Sequence, residues 1–134
     1  MTPIVDRSVD PDADFAQHTV LLGAKDVAIS QADILQDAFL PGFPFEIVSV
    51  EHFATDQVAT ATYMVKIGTT DALAAETGVT DLTRGDATLH ATLANVLGSV
   101  TDVINLHATT DGSGTFTDLK VRVTFKRQLD VIIA

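Results

Sequence analysis

The chain has 134 residues and a mass of 14.2 kDa, enough for one domain with a real hydrophobic core. Its charged fraction of 19% beside 46% apolar residues excludes a disordered composition, and its net charge of −10 opposes binding to phosphate backbones or anionic membranes. With no cysteine there is no disulfide framework, thiolate nucleophile or sulfur-ligated metal.

Residues 1–17 hold Pro3, Pro11 and the acidic series Asp6, Asp10, Asp12 and Asp14. Proline lacks a ladder donor and like charges repel, so this stretch is expected to be an extended arm preceding one domain over 18–134. It has no basic region followed by an apolar core, so it is not read as a secretory signal. No run approaches the ~18 apolar residues of a membrane span, and a soluble protein made in the cytoplasm is expected.

A first short strand is predicted over 18–23 and a second over 26–29. Residues 30–40 are ambiguous. Ser30 followed by Asp33 resembles a helix N-cap, with Ile34, Leu35, Ala38 and Phe39 at helical spacing, yet the same residues suit an edge strand. Pro41-Gly42 stops either one. Residues 45–55 read as a strand, although Ile47, Val48 and Val50 put apolar character on both faces. Ala59, Ala61, Tyr63, Val65 and Ile67 then alternate with Thr60, Thr62, Met64 and Lys66, a strand ended by Gly68. Residues 69–85 form a long connection in which 71–76 has the composition of a helical turn. Ala87, Leu89, Ala91 and Leu93 alternate with Thr88, His90 and Thr92, predicting another strand, and 94–102 connects it onward with a bend at Gly98-Ser99.

The strongest β signal is 103–127, read as a hairpin. Ile104, Leu106 and Ala108 share one face of its first arm, and Leu119, Val121, Val123 and Phe125 share one face of its second. Asp111-Gly112-Ser113-Gly114 between them supplies turn residues. The final residues, 129–134, are apolar apart from Asp130. Six to eight short strands at intervals of about 8–15 residues indicate an all-β fold, an antiparallel β-sandwich, jelly-roll-like, with an extended N-terminal arm. The spacing does not separate barrel from jelly-roll connections.

Motifs for chemistry are missing or fail. The carboxylates of residues 10–14 lack the Gly and Glu that an EF-hand loop requires at its sixth and twelfth positions, where Phe15 and Leu21 stand. His18, His52, His90 and His107 are scattered, read as surface residues, although His90 and His107 could face each other on adjacent strands. There is no Gly-x-Ser-x-Gly elbow and no phosphate-binding glycine loop before a helix. No catalytic residue, metal or cofactor is assigned, and a non-enzymatic domain is expected.

The cations are more informative. Lys120, Arg122, Lys126 and Arg127 are half of the eight Lys and Arg, gathered on or near one predicted strand. They form either a solvated outer face or a cationic stripe complementary to an acidic neighbour. The apolar end, including Ile132 and Ile133, is either a final buried strand or a surface that docks on a partner or sister subunit.

The run FEIVSVEHFATDQVATATYMVKIGTTDAL over 45–73, the strand at 87–93 and the ending TTDGSGTFTDLKVRVTFKR over 109–127 resemble small β-sandwich virion proteins of tailed bacteriophages. The likeness covers residues 30–127, with the K-I-G-T-T turn as one of its marks, and it looks like a capsid decoration, or cement, protein. That resemblance implies a protein of the capsid surface that binds the major capsid protein and forms a homo-oligomer, with a trimer favoured. No nucleic-acid or membrane partner is implied, and no functional residue carries over by motif. A tail or fibre component, a receptor-binding module, and a stand-alone ligand-binding domain remain as other readings. A sugar platform wants exposed Trp or Tyr rings, and the chain has no Trp and only Tyr63.

Overall fold

A computed structural model describes residues 17–25, 34–55, 61–79, 82–110 and 118–128. Among them are ten strands: β1 (Gln17–Lys25), β2 (Ile34–Phe39), β3 (Phe45–Thr55), β4 (Thr62–Ile67), β5 (Thr70–Asp71), β6 (Thr77–Gly78), β7 (Gly85–Asp86), β8 (Leu97–Gly98), β9 (Ile104–Thr109) and β10 (Asp118–Arg127). A 3-10 turn, Leu93–Val96, precedes β8. The predicted arm apart from Gln17, the predicted strand at 26–29 and the apolar end at 129–134 lie outside the described residues.

Two antiparallel sheets form a curled sandwich. The first runs β1-β10-β3, with the short β7 and β8 both on the far side of β3. The second runs β2-β9-β4, with β5 and β6 both on the far side of β4. The pairing is nested: first with last, second with second-last, and so inward to β4 with its neighbours β5 and β6. A long antiparallel ribbon wrapped upon itself gives this order, which is jelly-roll-like.

The nesting corrects the predicted hairpin. β9 pairs with β2 and β4, whereas β10 pairs with β1 and β3, so the two arms belong to opposite sheets. Their inward faces were read correctly. Ile104, Leu106, Ala108, Leu119, Val121, Val123 and Phe125 are all buried, where they meet Leu22, Phe45, Ile47, Val50, Tyr63, Val65 and Ile67. Each large side chain so buried contributes roughly 1.5–3 kcal/mol.

Residues 34–39 resolve as an edge strand rather than a helix. Its register skips between Leu35 and Asp37, and this irregularity produces the helix-like spacing of its apolar residues. A second shift lies in β3, where Thr124 pairs with Ser49 and Phe125 with Ile47. The extra residue, Val48, lets Ile47 and Val50 both face the core, which explains the apolar run on two faces. Two expectations fail. Residues 71–76 form no helical turn, because Thr70 and Asp71 pair back onto Ile67 and Lys66 of β4 across the two-residue loop Gly68-Thr69, in which Gly68 has a φ of +62°. Residues 87–93 form no strand: Leu89 makes an isolated bridge with Leu73, the Ala87 amide donates to Val50 of β3, the His90 amide donates to Ala72, and the Thr88 carbonyl accepts from the Ala74 amide.

At one side the edge strands β1 and β2 meet. Asp37, set at the irregularity of β2, accepts the outward amide of Gly23 on its Oδ2 at 2.9 Å and the Ala38 amide on its Oδ1 at 2.8 Å. A carboxylate thus satisfies an edge donor and joins the sheets at that corner.

Candidate functional site

Alternation along β1, β10 and β3 sends every second side chain out of the first sheet, and register aligns them in rows. One row runs Leu21, Arg122, Glu51 and Asp86; the next runs Gly23, Lys120 and Phe53; a third runs Gln17, Lys126 and Glu46. Glu51 receives Arg122, whose Nε donates to Oε1 at 2.7 Å, and also pairs with Arg84. Lys120 lies 3.2 Å from Asp118, and Lys126 lies 3.7 Å from Glu46, which also accepts from Gln128 at 2.8 Å. Exposed pairs of this kind contribute about 0–1 kcal/mol each, so they organise the face more than they stabilise it.

Three of the four cations singled out from sequence, Lys120, Arg122 and Lys126, therefore stand together on one outer face. Arg127 is set apart, with its guanidinium 5.4 Å from the centre of the Phe43 ring. That ring belongs to an aromatic group around Phe125, which lies 5.6 Å from His18, 6.1 Å from Phe43 and 6.0 Å from Phe39. Asp6, Asp10, Asp12, Asp14, Ile132 and Ile133 lie outside the described residues.

Sequence reasoning missed the apolar part of the face. Leu21 is 60% exposed and Phe53 is 40% exposed, and they flank the stems of Lys120 and Arg122 around a shallow depression of about 210 Å³. The available signal was phase: Phe53 follows Ser49 and Glu51 on the polar side of β3, where an apolar ring is out of pattern. Glu51 and Arg84, whose pairing shapes the face, carried no signal of their own.

Behind this face lies a second group. His52 points inward from β3, and its Nδ1 meets the Tyr63 hydroxyl of β4 at 2.6 Å, with the two rings edge to face. The expectation of surface histidines fails here, since His52 is only 7% exposed. Burial lowers its pKa below the usual 6.5, against a smaller upward pull from Asp86. Burial, with the Asp86 charge, raises the Tyr63 hydroxyl well above 10. The opposite edge of the imidazole, at Nε2, lies against Gly85, where even a Cβ would collide with it. Both ends of the ring are occupied by packing, an arrangement suited to pinning two sheets. The fully buried Tyr63 offers no ring for a sugar to stack on.

His90 and His107 do not face each other: His107 pairs with Leu35 and Met64, and His90 sits in the irregular stretch after the Leu89 bridge. Among the described residues no three His, Asp or Glu side chains are gathered as a metal site. Among the described residues no helix is long and apolar enough to cross a membrane.

No family model and no curated protein matches the chain. Among solved structures, a chain in the structure of infectious bursal disease virus Gx strain is distantly similar, at 13% identity and a TM-score of 0.37. The match covers 85% of this chain and 38% of that one, so the chain spans well under half of its length.

Proposed function

We propose that this protein is a structural component of a virus particle, a decoration protein that binds the outer surface of an assembled bacteriophage head and reinforces it non-covalently. The observation that carries the reading is the nested strand order, an arrangement used by viral capsid domains as well as by lectins and cupins. The resemblance of residues 30–127 to small virion proteins of tailed phages selects the first of these. The depression beside Leu21 and Phe53 holds about 210 Å³ and lies open among ion-paired side chains. A shallow face edged with paired charges suits a protein partner better.

Mechanistically, a rigid sandwich bridges seams between shell subunits. A protein that binds the assembled shell and not the dispersed subunits stabilises assembly by mass action, by about 2.7 kcal/mol per site at a free concentration a hundredfold above its Kd. The contacts, to the shell or to sister copies, are assigned to the acidic segment (Asp6, Asp10, Asp12, Asp14), the outer cations (Lys120, Arg122, Lys126, with Arg127 at the edge) and the apolar end (Ile132, Ile133).

The test is the copy number of this chain in purified particles relative to the major shell protein, by quantitative mass spectrometry. Many copies in a simple ratio to the shell are expected. A handful would move the protein to the tail or fibre, and its absence would remove it from the particle altogether.

A further inference from the structure

Charge is segregated in this molecule. The strands of the first sheet carry Lys25, Lys120, Arg122, Lys126 and Arg127, five of the eight cations, but only Glu46, Glu51, Asp86 and Asp118 of the eighteen acids. Their balance is +1 on a chain of −10, so everything else carries −11. The cations Lys25, Lys120, Arg122 and Lys126 alternate outward from β1 and β10 beside the exposed Leu21 and Phe53. The face is thus cationic and partly apolar, and solvent-exposed in the isolated chain.

The densest acidic stretch in the sequence is residues 6–14, DRSVDPDAD, and it is bordered by Ile4, Val5 and Phe15. It has the opposite charge to the face and apolar side chains of its own. We propose that the outer face of β1-β10-β3 is the docking surface for residues 6–14 of a second copy of this chain. The inference goes beyond the particle reading and does not depend on it.

The second copy is favoured over the chain's own segment by the connection to β1. Phe15 and Ala16, which join the segment to β1, include no Gly, Pro, Asn, Asp or Ser to reverse the chain onto the sheet it enters. Opposite charges steer the encounter and set its register, while Leu21 and Phe53 supply apolar area at the centre. Each copy both gives and receives a segment, so the contact closes as a reciprocal pair or a ring.

The experiment uses the full chain, with sedimentation velocity as the readout. The wild type is expected to be oligomeric at low salt and to dissociate at about 1 M salt, where screening confines charge interactions to ~3 Å. Reversing the segment (Asp10→Lys, Asp12→Lys, Asp14→Lys) or the face (Lys25→Glu, Lys120→Glu, Lys126→Glu) is expected to give monomers. The face set leaves Arg122, Arg84 and Glu51 in place, so their ion pairs persist. Mixing the two monomeric variants is expected to restore association, because each then meets a complementary partner. That recovery also shows that both variants fold. A monomeric wild type, an oligomer that survives either reversal, or a mixture that stays monomeric would each overturn the proposal. The last outcome would assign the face to the chain's own segment or to another acidic protein.

Discussion

The Nδ1 of His52 and the hydroxyl of Tyr63, 2.6 Å apart, form a polar link across the core between the first sheet and the second. Both groups are buried, so removing one partner leaves the other without a substitute from water. Tyr63→Phe keeps the ring and strands the imidazole nitrogen, at an expected cost of about 1–3 kcal/mol. Thermal melting should show a drop of roughly 3–5 °C per kcal/mol at this chain length. Adding His52→Leu should recover part of the loss, since two apolar partners need no hydrogen bond. A further drop in the double variant would count against the link.

The same pair fixes the sign of the pH response. His52 has a lowered pKa when folded, so in the window between that value and about 6.5 the unfolded chain binds the extra proton. The stability from His52 is therefore complete above pH 6.5 and declines as pH falls through the window. Tyr63 acts at the other end: its raised pKa keeps it neutral when folded, and stability declines above about pH 10 as the unfolded phenol ionises. Denaturant titrations at stepped pH should show the acid-side slope shrink in His52→Gln.

Gly98 on β8 pairs with Phe45 on β3, and a Cβ at Gly98 would run into the Phe45 ring. Gly98→Ala is expected to cost about 1–3 kcal/mol through overpacking. Phe45→Leu opens a cavity when made alone, but combined with Gly98→Ala it should cost less than the two single changes together. A double-mutant cycle from urea unfolding measures that coupling.

The corner between β1 and β2 rests on Asp37. Asp37→Ala removes the acceptor of the Gly23 amide, with an expected loss of about 1–2 kcal/mol. Amide hydrogen exchange at Gly23 should accelerate, while the Val121 and Val123 amides at the centre of the first sheet change only with global stability. Unchanged exchange at Gly23 would show that the bond does not hold the corner.

Leu82 has a positive φ of 57° and is 65% exposed, so it pays for a left-handed backbone without burying its side chain. Leu82→Gly relieves a strain of about 1–2 kcal/mol, offset by the greater freedom of glycine when unfolded. A net gain of up to about 1 kcal/mol in urea unfolding is expected.

Legibility in the sequence followed the physics of alternation. A period of two assigns side chains to faces, and it did so correctly for β9 and β10, but it does not say which strand lies alongside. The pairing of β10 with β1, a hundred residues away, is written in no local pattern, so the two arms looked like one hairpin. Register irregularities at Gln36 and Val48 shifted the period within β2 and β3, which made one strand look helical and the other two-faced. Small alternating residues at 87–93 imitated a strand while bonding both to β3 and to Ala72 and Ala74. Of the outer face, the cations were visible as a cluster. Leu21, the Glu51 and Phe53 pair on β3, and Arg84 come from three separate segments, and only the register brings them together.

The nested order also sets a schedule for synthesis. β10 fills the middle of the first sheet, between β1 and β3, and Gln17 has Lys126 as its partner. Until the ribosome has delivered that strand, β1 and β3 have no common neighbour and the core lacks Leu119, Val121, Val123 and Phe125. Closing such distant pairs is entropically slow, typically milliseconds to seconds for sandwiches of this kind. The nascent chain therefore holds β1 without a ladder partner and β3 with one side open until the last strand arrives, and the first sheet closes only then.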